Sequence, residues 1–177
     1  MAYAGPELLA GAHRLEGFDC GKPALNEWLL HRALANQSTG TSRTWVVVES
    51  ESRQVVAFYA SATASILRSS APKPMRRNQP EEMPALLLAR MGVDASHQGH
   101  GLGAALLKHF MLKALEVAQS VGVRILLVSR QGRRSQELLR ALRVRRVHSR
   151  SAHIDDDPRA NLRIAGVGVL SANSSKR

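Results

Sequence analysis

Met91-Gly-Val-Asp-Ala-Ser-His-Gln-Gly-His-Gly-Leu-Gly-Ala-Ala105 is the stretch on which the reading of this chain turns. Just upstream, Ala85-Leu-Leu-Leu-Ala-Arg-Met-Gly-Val-Asp94 is nearly all apolar, as a strand covered on both faces must be. Downstream, apolar spacing predicts a helix from about Leu102 to Gln119, with Leu102, Leu106, Phe110 and Ala114 on its buried stripe. A glycine-rich turn that feeds a helix N-terminus presents main-chain N–H groups with no helical acceptor. It does so at the positive end of the helix dipole, and so suits a phosphate. Two nucleotide loops fail here. A Walker A loop needs Gly-Lys-Ser/Thr, but Gly103 is followed by Ala104-Ala105. The dinucleotide fingerprint needs G-x-G-x-x-G early in the chain, whereas these glycines stand late and as G-x-G-x-G. The match that remains is Gln-x-x-Gly-x-Gly, over Gln98 to Gly103; a tight strand-to-helix turn without a ligand is the alternative.

Working outward, Asp19 to Ala35 predicts a helix with Pro23 in its first turn and Leu25, Trp28, Leu29 and Leu34 on one face. Asn36-Gln-Ser-Thr-Gly40 ends it. Thr44-Trp-Val-Val-Val-Glu49 reads as a strand, Glu51–Gln54 as a turn, and Val55 to about Ala64 as the hairpin partner. Pro72, Pro74, Pro80 and Pro84 punctuate a loop that carries Lys73, Arg76 and Arg77. Val121–Val128 closes as a buried strand. The order of helix, hairpin, strand, glycine loop, helix and strand makes a mixed α/β domain, a central sheet flanked by helices.

The 177 residues fit one domain, and 44% hydrophobic content supports a core. Aromatics at 4% argue against rows of base-stacking rings. No apolar run is long enough to span a membrane, and the first residues lack the basic and apolar regions of a signal peptide. Cys20 stands alone, which excludes internal disulfides and cysteine-rich zinc sites and suits the cytoplasm. His97, His100, His148 and His153 have no third partner at metal-ligand spacing, so no metal is expected. The net charge of +11 is unevenly spread. Residues 1–128 hold 13 basic and 10 acidic side chains, whereas residues 129–177 hold 12 basic and 4 acidic and no Phe, Tyr or Trp. Such a break marks a separate, irregular tail, and on charge alone it would bind nucleic acid.

Gly17-Phe-Asp-Cys-Gly-Lys-Pro-Ala-Leu-Asn-Glu-Trp-Leu, Arg32-Ala-Leu-Ala-Asn-Gln, Ser42-Arg-Thr, Phe58-Tyr-Ala, Arg76-Arg-Asn and Ala89-Arg-Met-Gly-Val-Asp follow one another along the chain. In that order, and with the glycine loop, residues 6–128 resemble the GNAT acetyltransferase toxins of bacterial toxin–antitoxin pairs. The resemblance implies a GNAT fold and acetyl-CoA as co-substrate. It also implies transfer of acetyl to the amino group of aminoacyl-tRNA, which blocks translation. A homodimer and a ribbon–helix–helix antitoxin are the implied partners. Carried over by position, Gln98, Gly99, His100, Gly101, Leu102, Gly103 and Ala104 would hold the pyrophosphate. The backbone of Met91, Gly92 and Val93 would pair with the pantetheine arm. Lys73, Arg76, Arg77 and Arg90 would meet the tRNA acceptor end, although an ordinary solvated surface explains such a basic loop equally well. A free α-amine titrates near pH 8, so transfer needs positioning and oxyanion donors more than a strong base. The family also places a tyrosine after the last strand to protonate the departing thiolate.

That tyrosine has no counterpart, since the only tyrosines are Tyr3 and Tyr59. Codons exist for Ser129–Arg145 whose next reading frame spells V-A-R-D-D-E-A-K-S-F-Y-E-H-F-G-F, the family's pattern in its proper place. Residues from about Ser129 are therefore expected to be a frameshifted, off-family C-terminus. A short helix around Leu138, Leu139 and Leu142 and a strand over Asn161–Leu170 are conceivable within it. Loss of the family's aromatic last elements is expected to leave residues 123–128 poorly covered. An inactive module that binds CoA or an antitoxin, and a GNAT enzyme acting on another amine, are the alternatives to the aminoacyl-tRNA reading.

Overall fold

Thr44-Trp-Val-Val-Val and Val55-Val-Ala-Phe-Tyr-Ala are β-branched and aromatic runs, and they pair as the hairpin at the centre of the first of two units. The computed structural model describes residues 2–71, 73–123, 125–129 and 168–172. One unit comprises Met1–Ala62 and Leu88–Leu112, the other Thr63–Leu87 and Lys113–Arg177.

In the first unit the strands run in the order β1 (Tyr3–Leu8), β2 (Arg43–Glu49), β3 (Val55–Leu67, as far as Ala62) and β4 (Glu82–Val93, from Leu88). β1, β2 and β3 are antiparallel, with Trp45 opposite Tyr59 and Val46 opposite Phe58. The side chains of this hairpin alternate between two layers. On one side Val46, Val48, Val55, Phe58 and Ala60 pack with Leu25, Trp28, Leu29 and Ala33 from α1 (Pro23–His31) and α2 (Ala33–Ser38). On the other side Tyr59 meets Phe110 edge-on at 5.7 Å, and Trp45 meets His109 at 4.7 Å. Those two residues lie on α4 (Leu102–Val121). A sheet covered on both faces is why β2 and β3 lack a polar stripe.

Three sequence readings need correction in this unit. The predicted single helix over 19–35 is two helices, broken at Arg32, where φ is −124°. The break shifts the register, so Ala33 is fully buried while Leu34, expected in the apolar stripe, is 45% exposed. β1 went unread, because Pro6 and Gly5 argue against a strand. It is an edge strand, and its pairing with β2 shifts register between Ala4 and Glu7.

The second unit holds the end of β3, α3 (Lys73–Arg76), the start of β4, the last turns of α4, β5 (Ile125–Ser129) and β6 (Gly168–Ala172). Its core is Ala71, Met83, Ala85, Ile125 and Leu127, with Ala64, Ile66 and Leu87 against it. β5 and β6 are parallel, with Ile125 opposite Gly168 and Ser129 opposite Ala172. The sheet is thus mixed, as expected. The expected strand over Val121–Val128 starts late, because α4 runs through Val121 and Gly122 ends it with φ +72°. β4 begins at Glu82, three residues earlier than read. Poor cover of the closing strand is not what the structure shows: Val123, Ile125, Leu126, Leu127 and Val128 are all buried. β6 overlaps the strand expected over 161–170; the helix expected near Leu138 lies outside the described residues.

Glu7 on β1 anchors the edge of the first unit. The His13 Nδ1 accepts the Ala10 N–H at 2.9 Å, which places the proton on Nε2, facing Glu7 Oε1 at 3.1 Å. Arg53 Nη1 lies 2.9 Å from the same oxygen. Burial alone would raise the Glu7 pKa, but the hydrogen bonds from His13 and Arg53 and the Arg53 charge hold it below the usual carboxylate value of 4.5. A depressed folded-state pKa contributes stability above the unfolded value and loses it as pH falls through the folded one. Glu7→Gln is expected to flatten the loss of stability between about pH 5 and 3, read as melting temperature against pH.

Candidate functional site

β4 ends at Val93 and α4 begins at Leu102, and everything between them belongs to the first unit. Asp94 closes the strand. Its carboxylate accepts the Asp19 N–H at 2.9 Å, the Ser96 N–H at 3.0 Å and the Ser96 hydroxyl. In return the Ala95 N–H donates to the Asp19 carbonyl at 2.8 Å. Burial alone would raise the Asp94 pKa, yet these donors keep it lowered. The loop over 17–22 is thereby strapped to the end of β4.

From there the chain makes a 3-10 turn over Ala95–His97 and enters the glycines. Gly99 has φ +87° and Gly101 φ +77°, backbone that L side chains rarely adopt, which is the local reason for glycine at both places. Space around both α-carbons is open. The first helical hydrogen bond of α4 runs from the Ala105 N–H to the Gly101 carbonyl at 3.0 Å. The N–H groups of Leu102, Gly103 and Ala104 therefore precede the ladder. The first turn of α4 contains no acidic side chain to compete for them. Bare amides, open space and a 20-residue helix behind them suit a diphosphate. The Gln98 side chain does not aim at that space: its Nε2 donates to the Val93 carbonyl at 3.1 Å and ties the loop to the strand.

Gly92 explains the face of β4 that looks toward α1. A Cβ there would lie 2.9 Å from Phe58 Cε1 and 3.3 Å from Cys20 Sγ. Phe58 in turn carries Phe18 edge-on at 5.5 Å and Trp28 stacked at 6.0 Å. Arg90, two residues back on the same face, lays its guanidinium 4.6 Å from the Trp28 ring centroid. Burial first, and the Arg32 charge second, push its pKa down. Cys20 Sγ lies 3.1 Å from Asn26 Oδ1, and burial pushes its thiol pKa up.

The structure therefore gathers Met91, Gly92, Val93, Gln98, Gly99, His100, Gly101, Leu102, Gly103, Ala104 and Arg90 in one unit. Lys73, Arg76 and Arg77 belong to the other. Lys73 and Arg77 are exposed. Arg76 donates from Nε to the Ala71 carbonyl and from Nη2 to the Ser69 carbonyl, each at 2.6 Å, so much of its guanidinium holds its own loop. Sequence reasoning missed Asp94, Asp19 and Tyr3 as partners of the glycine loop. Only the Asp-x-Ser spacing of Asp94 and Ser96, a local capping pattern, could have flagged the first. Both tyrosine hydroxyls are engaged: Tyr59 is fully buried and lies 2.9 Å from His109 Nδ1, and Tyr3 lies 3.1 Å from His97 Nδ1. Among the described residues no group of three His, Cys, Asp or Glu side chains could hold a metal ion. None of the helices there is long and apolar enough to cross a membrane.

No family model matches the chain. Over 126 residues, 71% of this chain and 75% of the relative, it is 39% identical to a tRNA-acetylating toxin of Mycobacterium tuberculosis. Over 118 residues, 66% of this chain and 65% of the relative, it is 25% identical to a probable toxin TacT of Sinorhizobium fredii. Among solved structures it is similar to AtaT complexed with acetyl-methionyl-tRNAfMet, with TM-score 0.71 and 26% identity over 77% of this chain and 84% of that one. A tyrosine-to-phenylalanine mutant of KacT gives TM-score 0.72 and 25% identity, over the same shares.

The tight seat of Gly92 makes a direct test. Gly92→Ala should destabilise the protein by about 1–3 kcal/mol, because the fully buried Phe58 cannot retreat from the packed core without loss. Urea unfolding monitored by Trp28 and Trp45 fluorescence measures it.

Proposed function

Because the chain belongs to the family of GNAT-fold, tRNA-acetylating toxins of toxin–antitoxin systems, we propose that it takes acetyl-CoA and acetylates the amino group of an aminoacyl-tRNA. The observation that carries this reading is the row of unpaired amides at Leu102, Gly103 and Ala104, behind two glycines with positive φ, in a chain 39% identical to such a toxin. Acetyl-CoA, when bound, supplies the activated acetyl thioester. The residues of this chain do the rest. The amides from Gly99 to Ala104 hold the diphosphate, and the Gln98 side chain fixes their origin on β4. The backbone of Met91, Gly92 and Val93 is assigned to the pantetheine arm. Lys73, Arg77 and Arg90 are assigned to the acceptor end of the tRNA, with Arg76 shaping the loop that carries two of them. The catalytic core is assigned to residues 1–128. A homodimer, a ribbon–helix–helix antitoxin and a cytoplasmic location complete the reading.

A second reading rests on the tyrosines. Neither Tyr3 nor Tyr59 stands after β5, and both hydroxyls are hydrogen-bonded elsewhere. With no family tyrosine, a water molecule would have to protonate the leaving thiolate, which slows transfer. This chain is then a module that binds CoA but transfers acetyl poorly. The two readings share the coenzyme site and differ in turnover.

Labelled acetyl transfer from acetyl-CoA to charged tRNA, run beside a version whose reading frame is restored after Val128, separates them. Both proteins should bind CoA, and the restored one should turn over faster by at least about tenfold. Equal rates would favour an active chain as it stands, and absence of CoA binding at millimolar concentration would overturn both readings. Gly101→Val, which forces a β-branched residue into φ +77°, should weaken CoA binding by about tenfold or more in either protein, as titration calorimetry would show.

A further inference from the structure

The glycines that open the loop to a ligand also leave it loose. A Cβ at Gly99 or Gly101 would meet nothing within 4 Å, so no side-chain packing at either position limits the backbone. A cradle of amides works only if the amides already point at the ligand before it arrives; otherwise binding must order them. Gln98 anchors one end of the loop to Val93, and α4 anchors the other. The bend between them lies at His97, Gly99 and His100.

Tyr3 covers that bend. It is the first residue of β1, where it stands opposite Glu49 of β2. Its hydroxyl lies 3.1 Å from His97 Nδ1. Its ring meets the His97 ring edge-on at 5.8 Å and the His100 ring edge-on at 6.3 Å. One side chain thus touches the residues on both sides of Gly99. The two histidines are also joined to each other, with His100 Nδ1 3.3 Å from the His97 carbonyl. Tyr3 and this hydrogen bond thus tie His97 to His100 across Gly99, whose own Cβ position is open. No sequence motif connects positions so far apart.

We propose that Tyr3 is a positioning residue for the coenzyme's diphosphate, holding His97 and His100 so that the amides from Gly99 to Ala104 are oriented before binding. The inference rests on the coenzyme reading above. Tyr3 does not touch the diphosphate; it acts through the loop. His97 and His100 become the working ends of a clamp rather than spare surface histidines, and β1 gains a role beyond capping the sheet edge.

Tyr3→Phe keeps the ring and removes the hydroxyl. Its Kd for CoA should rise about three- to tenfold, the range of one lost hydrogen bond. Tyr3→Ala should raise it further. Hydrogen exchange on the free protein reads the same restraint without any ligand: in Tyr3→Phe the hydrogen-bonded amides that bracket the loop, His97 and Ala105, should exchange faster, while those of β2 and β3 stay unchanged. His97→Ala should produce the same loss, and combining it with Tyr3→Phe should add little. Wild-type affinity and loop exchange in Tyr3→Phe would overturn the inference while leaving the coenzyme reading intact. Faster exchange throughout β2 and β3 would overturn it too, by showing a general loss of structure. A wild-type protein that ignores CoA at millimolar concentration would remove the coenzyme reading and this inference together.

Discussion

Main-chain N–H groups at the start of α4 have no acceptor within the helix, and the first unit is arranged so that they remain bare and fixed. An unpaired amide is costly when buried and useless when mobile. The structure answers the first hazard with open space at Gly99 and Gly101 and with a first helical turn free of carboxylates. It answers the second with ties of three kinds: Gln98 to the Val93 carbonyl, Asp94 to the Asp19 N–H, and Tyr3 to His97. The first two stand at the two ends of the 3-10 turn, and the third reaches in from β1.

The position of β4 is as constrained as that of the loop. Gly92 lets Phe58 and Cys20 approach the strand to van der Waals contact, and Phe58 carries Phe18 and Trp28 behind it. Arg90 rests on the outer face of Trp28. A single aromatic column thus backs β4 at both Gly92 and Arg90. The two tyrosine hydroxyls are engaged elsewhere, one beside His109 and the other on His97.

Legibility of the fold followed from how local each signal is. The β2–β3 hairpin, the start of α4 and its stripe of Leu102, Leu106, Phe110 and Ala114 depend on neighbours within a few residues, and all were readable. The break at Arg32 was not, because Leu34 continues an apolar spacing that the structure abandons in favour of Ala33. β1 was hidden by Pro6, which an edge strand tolerates and a central one does not. Val121 looked like the start of a strand, but three residues separate it from β5, and Gly122 marks the end of the helix instead.

From the sequence alone came the glycine loop, its failure to match other nucleotide loops, the family and the missing tyrosine. All of these are matters of residue identity at close spacing along one chain. Tertiary structure alone decided which side chains serve the loop. Tyr3 and His97 are 94 residues apart, and Asp19 and Asp94 are 75 apart. Nothing in either local stretch distinguishes them from surface residues. A hydrogen bond depends on distance in space, and only the folded sheet brings those pairs within reach of one another.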